Sequence, residues 1–295
     1  MLRFLKTLFS RGPKVRKVDI ASRFQLISRV GQGSMSKVWR AVDLRSSKTV
    51  ALKILDFEKT RRLESRFQKM KMRKPLEGDI AMSLKHPHIV STFESGFTTK
   101  NEQFLVMEFV EGFSLSYLVE VQNDVMKQNR VRFIIELGEA IHYFHKQNWI
   151  HRDICPRNVI VDQDLSIKLI DFGLVVPNTP EYQAPGNRTG TAMYMAPELI
   201  KRQRTDQRID IFAFAVTCFE MYCGQRPWTS DESYETVVQH MNMAPKDLMK
   251  LAPDIHPVLA AAIMKGLERD PARRWSTVSQ MLEPFRKWLS ITQSN

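Results

Sequence analysis

His151-Arg152-Asp153-Ile154-Cys155-Pro156-Arg157-Asn158 is the stretch on which the fold turns, and thirteen residues past Asn158 comes Asp171-Phe172-Gly173. Its odd member is Cys155, a side chain that is mostly neutral at pH 7 because its reference pKa is about 8.5. Only two other cysteines occur, Cys218 and Cys223, and the three make neither a disulfide framework nor a C-x-x-C metal pattern. A reducing, cytoplasmic compartment fits that usage. Hydrophobic residues make up 43% of the 295, enough for a packed core in one large domain or two medium ones. The longest apolar run, Ile211–Val216, falls well short of the ~20 residues a bilayer span needs. Beside it, Cys218 reads as a small buried hydrophobe.

Charge is uneven. There are 44 basic and 32 acidic residues, a formal net charge of +12. Net charge alone reports nonspecific attraction to anions, and no nucleic-acid module accompanies it, so no nucleic acid is expected as partner. Much of the excess sits in Lys59–Lys74, with eight basic residues and one acid. That segment reads as a solvated helical face, or as a dock for an acidic or phosphorylated partner. Residues 1–21 form a basic segment that opens Met1-Leu-Arg-Phe-Leu-Lys-Thr-Leu-Phe-Ser10, amphipathic and without a cleavage signal. It suits either a tail packed on its own domain or a peripheral contact with a membrane surface.

Outward from the opening stretch, the patterning divides in two. Phe24–Val30, Lys37–Val42 and Thr49–Leu55 alternate apolar and polar residues and predict three strands, with Gly31, Gly33 and Ser46-Ser47 as turn signals. A long charged helical region follows, ending near His86-Pro87, and two further strands are expected around Ile89–Ser95 and Gln103–Phe109. Beyond Gly112 the period becomes helical, as in Arg132–Lys146. One more amphipathic helix fits after Trp275. The order implies an α+β chain, a small β-rich lobe followed by a larger helical one.

His151–Asn158 followed by Asp171-Phe172-Gly173 resembles the catalytic loop and metal-binding motif of protein kinases. The resemblance extends over residues 22–285 and implies the bilobal kinase fold, with an N-lobe at about 22–109, a C-lobe at about 113–285 and a tail at 286–295. It implies a Ser/Thr protein kinase that moves the γ-phosphate of Mg-ATP to protein hydroxyls. Gly31-Gln-Gly33-Ser-Met-Ser36 resembles the Gly-rich loop, whose backbone N–H groups approach phosphate oxygens. In Val50-Ala51-Leu52-Lys53 the lysine matches the one that holds the α and β phosphates and pairs with a helical glutamate, here Glu77. Around adenine the resemblance implies backbone groups of Glu108 and Val110, walls from Val38, Ala51 and Ile160, and Met107 at the rear. Asp153 would take or orient the substrate hydroxyl's proton, and Asn158 with Asp171 would hold Mg²⁺, or Mn²⁺ in its place.

Cys155 stands where Ser/Thr kinases usually carry a lysine that contacts the transferred phosphate. Arg157 resembles the arginine of one group of tyrosine kinases that also lack that lysine, and it keeps a charge able to bridge phosphate. A glutamate at that position often favours basic substrates, so Arg157 predicts no preference for Arg-rich sites. Gly190–Glu198 resembles the Ser/Thr-type substrate platform, with Thr191 bridging to Asp153. Asp210 would anchor the catalytic loop, and Arg274 would pair with Glu198. Thr189, then Thr179, are the expected phosphorylation sites between Asp171 and Glu198, with Arg152 as phosphate receiver. The rival expectation is a pseudokinase scaffold, favoured by Cys155, Ser36 and Gly78 and opposed by the intact Lys53, Asp153, Asn158 and Asp171.

Overall fold

Alternating apolar residues between Phe24 and Leu55 form three antiparallel strands in the computed structural model, which describes residues 17–32, 35–69, 71–186, 189–228 and 242–293. These are β1 (Phe24–Gln32), β2 (Ser36–Asp43) and β3 (Lys48–Leu55); β4 (Thr92–Phe97) and β5 (Gln103–Glu108) complete a five-stranded sheet in the order β1-β2-β3-β5-β4. Phe24, Ala41, Val50, Leu52, Phe104 and Val106 bury one of its faces. Large apolar side chains so buried contribute about 1.5–3 kcal/mol each. The sheet belongs to one of two compact units, residues 1–85 with 90–110; the other is 86–89 with 111–295.

Three details of the first unit differ from the patterning. Gly31 is not in the turn: it lies inside β1 opposite Val38, next to a register shift. The charged region is two helices, Phe57–Lys69 and Glu77–Ser83, not one. Between them Pro75 removes a backbone donor and drives Lys74 toward extended geometry, which stops a continuous helix. The fourth strand begins at Thr92, because Ile89 bridges to Leu169 within the other unit.

Two contacts pin this unit. Arg23 is buried and clasps two carboxylates, Asp43 at 2.9 and 3.2 Å and Glu94 at 2.6 and 2.7 Å, tying β2 to the edge strand β4. That hydrogen bonding holds the Asp43 carboxyl below its usual range. Gly78 accounts for the second. A Cβ there would meet the Ser95 Cβ at 2.5 Å and its Oγ at 2.7 Å, so the helix Glu77–Ser83 rests on β4 only because residue 78 has no side chain. Gly78→Ala is expected to cost about 1–3 kcal/mol by overpacking. Adding Ser95→Gly removes the obstructing atoms and returns part of that loss, readable as a coupling in thermal melts of the four-member cycle.

The second unit is helical around Asp124–Lys146 and Arg208–Cys223. Every residue from Ile209 to Tyr222 is buried, so this helix is core on all sides. The last helix, Val278–Gln293, runs through residue 285, so residues 286–293 continue it instead of forming a separate tail. Small strands Gly112–Ser114, Val159–Asp162 and Ile167–Leu169 pair on the same unit. No helix among the described residues is long and apolar enough to cross a membrane.

Candidate active site

The buried helix Arg208–Cys223 places Asp210 beneath the loop quoted at the outset. Its carboxylate accepts the backbone N–H groups of His151 and Arg152, both at 2.8 Å, and lies 3.0 Å from His145 Nε2. Full burial opposes its charge, but His145 and these donors hold its pKa below the usual carboxylate value. Behind the loop the His151 ring lies 5.1 Å from Phe144 and 6.1 Å from Phe172. Burial lowers the His151 pKa, which favours a neutral ring.

So fixed, the loop presents Asp153. Its Oδ1 accepts from Thr191 N at 2.9 Å and Thr191 Oγ1 at 2.7 Å, and its Oδ2 accepts from Asn158 Nδ2 at 2.9 Å. Asn158 Nδ2 also donates to the Asp153 carbonyl at 2.8 Å, which leaves the amide oxygen as that side chain's acceptor. Arg157, exposed, donates from Nη2 to Thr191 Oγ1 at 3.4 Å. Asp153, Asn158, Thr191 and Arg157 are thus brought together.

Cys155 is in none of these contacts. It is 1% exposed, and burial pushes its thiol up to about 12. Cys218 is raised well above the ordinary thiol value by burial, and the half-buried Cys223 is raised as well. Because the thiolate is the reactive form, Cys223 is expected to be the first thiol alkylated in the folded protein at pH 8. Mass mapping checks this; labelling of Cys155 before Cys223 would contradict it.

Two backbone positions here are strained. Arg152 and Asp171 have φ of +70° and +68°, a left-handed conformation that side chains other than glycine rarely take. Such residues cost of order 1–3 kcal/mol each and gather at working sites. Asp171 Oδ1 accepts the Gly173 N–H at 3.0 Å. Arg152 is buried, donates from Nη2 to the Tyr182 carbonyl at 3.3 Å, and has no partner for Nε or Nη1 among the described residues. Burial lowers its pKa to about 10. Glu198 and Arg274 form a buried two-pronged pair at 2.6 and 2.7 Å.

In the first unit Lys53 and Glu77 meet at 2.5 Å, both almost fully buried. Strand register aligns Gly31 with Val38 and Val38 with Lys53, while Ala51 lies opposite Met107. Residues two apart on a strand share a face, so Ala51 and Lys53 look the same way. Ser36 is buried at the start of β2, and the Glu108 side chain accepts Ser91 N at 2.7 Å. Val110 is half-buried in this unit, as Ile160 is in the other; Gly33 lies outside the described residues.

Two clusters were not read from the sequence. One is the cluster of Phe144, His151 and Phe172, whose rings meet edge-on and tilted. The other is Tyr194, whose hydroxyl donates to Glu220 Oε2 at 2.7 Å while Arg226 Nε sits 3.3 Å from Glu220 Oε1.

Residues 24–286 match the protein kinase domain. The chain is 29% identical over 285 residues to a probable serine/threonine-protein kinase of Clostridium perfringens, covering 94% of this chain and 40% of that protein. It is 27% identical over 270 residues to the serine/threonine-protein kinase PknB of Mycolicibacterium smegmatis, covering 89% and 42%. A probable serine/threonine-protein kinase of Streptomyces coelicolor is also 27% identical over 270 residues, with 89% and 39% covered. The chain therefore belongs to the protein kinase family. It spans about two fifths of the length of these curated relatives.

Proposed function

We propose that this chain is a serine/threonine protein kinase, transferring the γ-phosphate of Mg-ATP to protein hydroxyls. The observation that carries this is Asp153 held in one orientation by Thr191 and Asn158, with one lone pair on Oδ2 left to accept a hydroxyl proton. The names of the relatives agree with it. Asn158 and Asp171 would hold Mg²⁺, or Mn²⁺ in its place, since an amide and a carboxylate oxygen suit a hard cation. Bound there, the cation offsets charge on the transferring phosphoryl group. Lys53, positioned by Glu77, would take the α and β phosphates, and Gly31, Gly33 and Ser36 are the loop residues proposed to bind them. Val38, Ala51, Met107, Glu108, Val110 and Ile160 receive the adenine. Arg157 supplies the charge that the buried, neutral Cys155 does not.

Two of the three features that favoured a scaffold have packing explanations here: Ser36 is buried in a strand and Gly78 makes room for Ser95. Transfer of labelled phosphate from Mg-ATP to the protein itself or to a generic substrate tests the activity. Signal no greater than that of Asp153→Asn, with nucleotide still bound, would sink it.

The catalytic domain is taken as residues 22–285, preceded by the basic segment 1–21 and followed by 286–295, in a cytoplasmic protein. An acidic or phosphorylated partner docks along 59–74. Support comes from a cavity of about 750 Å³ in the first unit whose apolar lining includes Phe57, Leu76 and Phe97 and whose charged lining is Arg61, Arg73 and Lys74 against one acid, Glu64. The membrane contact read for the N-terminus falls on residues 1–16, outside those described. Thr189 carries a regulatory phosphate received by Arg152, whose buried Nε and Nη1 lack partners among the described residues. Intact mass after ATP incubation should show one phosphate fewer on Thr189→Ala; equal phosphate on both would count against the site.

A further inference from the structure

Two aromatic rings stand open on the unit that carries the catalytic loop. A Cβ at residue 112 would lie 1.9 Å from the Val161 carbonyl oxygen, so the strand Gly112–Ser114 lies against Val159–Asp162 only because that residue is glycine. Ser114 then caps the helix Leu115–Val121, its Oγ accepting the Tyr117 N–H at 3.2 Å. Leu115, Leu118 and Val119 turn into the core, which leaves Tyr117 and Val121, one helical turn apart, on the outer face. Phe113 stacks on Tyr117 with ring centroids 5.7 Å apart and planes 25° from parallel. That contact steadies the start of the helix, yet it leaves the outer surface of the rings unused by the fold. Phe113, Tyr117 and Val121 are 59%, 48% and 42% exposed. Apolar residues exposed singly need no explanation, whereas three in one row make a patch of the kind that meets a partner.

The patch adjoins the catalytic loop. Strand and helix both rest on the 3₁₀ turn Pro156–Asn158. That turn bears Arg157, whose Nη2 lies 3.4 Å from Thr191 Oγ1, and the same hydroxyl donates to Asp153 at 2.7 Å. From the Asp153 carboxylate to the rings the way crosses one guanidinium and one packed contact. That is roughly 10–17 Å, or three to five residues of extended peptide at about 3.3 Å each. We infer that the phosphoacceptor segment of the protein substrate carries an aromatic or large aliphatic side chain three to five residues from its hydroxyl, and that Phe113 and Tyr117 receive it. The inference rests on the phosphotransfer proposed above. An extended segment crosses the patch once, so the preference falls on one side of the hydroxyl only. Flat, rigid rings offer contact area at little entropic cost, and their faces suit a ring or a branched aliphatic side chain.

The test reads fluorescence anisotropy of labelled Gly-Ser peptides on the full chain, with Ala in place of the acceptor Ser. A single Phe is walked from five residues before that position to five after it. On one side, three to five residues away, the Phe peptide is expected to bind about tenfold tighter than the peptide without Phe. Phe113→Thr and Tyr117→Gln should each shrink that gain at least about threefold, and Tyr117→Phe, which keeps the ring, should retain most of it. Phe93→Thr removes an aromatic side chain that is 57% exposed on β4 of the other unit, and it should leave the gain within about twofold. With the matching Ser peptides, the two patch variants should raise KM and leave kcat within about twofold, since the rings touch no reacting atom. No gain at any position, or a gain that survives both patch variants, overturns the proposal. So does a Phe93→Thr variant that lowers the gain as much as they do, since general surface stickiness would then be responsible. A variant whose melting curve shows that it does not fold is replaced by Phe113→Gln or Tyr117→Ser. Absence of phosphate transfer with the binding preference intact counts against phosphotransfer and leaves the aromatic selection standing.

Discussion

Asp153→Asn is expected to lower phosphoryl transfer by about 10²–10⁴-fold, the usual contribution of a positioned general base. Asparagine matches the shape of aspartate, so the effect should fall on chemistry more than on folding. The local network explains why this near-isosteric change cannot be absorbed. One oxygen of Asp153 receives both Thr191 bonds and the other receives the Asn158 amide. The amide nitrogen that the substitution introduces therefore faces a donor whichever way it is turned. It either opposes Asn158 Nδ2 or displaces the oxygen from the Thr191 N–H. Single-turnover kinetics with saturating Mg-ATP should show the loss in kcat, with nucleotide affinity kept within a few-fold. A variant retaining a tenth or more of wild-type turnover would remove Asp153 from the role of base.

Lys53→Met should be nearly as damaging, and for two separable reasons. Lys53 and Glu77 are a buried pair. Removing one partner of such a pair strands the other charge and costs about 3–5 kcal/mol. For a domain of this size that corresponds to a melting point lower by roughly 6–20 °C. Replacing the pair by apolar residues, Lys53→Met with Glu77→Leu, should recover most of the stability, because buried ion pairs seldom outperform well-packed hydrophobes. Activity should not recover, since the phosphate contact proposed for Lys53 is absent in both variants. Calorimetry and a transfer assay on the same preparations check both halves. A double variant as unstable as Lys53→Met would mean that the ion pair is not the source of the lost stability.

Local order was legible where period and motif agree. Alternation marked the sheet strands, and counting back from His86-Pro87 selected Glu77, the residue that meets Lys53. The unread parts depend on partners far apart in sequence. Arg23 meets residues 20 and 71 positions away, and nothing in its neighbours announces that. Tyr194, Glu220 and Arg226 converge only once the helix Arg208–Cys223 is packed. Gly78 looked like a weak point in a helix because its reason is a contact with Ser95, on another element. Pro75, by contrast, is visible in the sequence, and its missing donor divides the charged region into two helices. Gly31 misled for the opposite reason: a glycine can mark a turn, and here it sits in the strand beside it.

Asp210 grips the catalytic loop by its main chain, at two successive N–H groups, and from the core side. The loop's shape is therefore set by a buried helix and owes little to the side chains on its working face. Residues there can be exchanged without loss of the scaffold that presents them. Cys155 turns into the interior, and Arg157, two residues on, is exposed and reaches Thr191. Separating the part that holds shape from the part that meets substrate lets a chain of this kind change what it recognises while its chemistry stays in place.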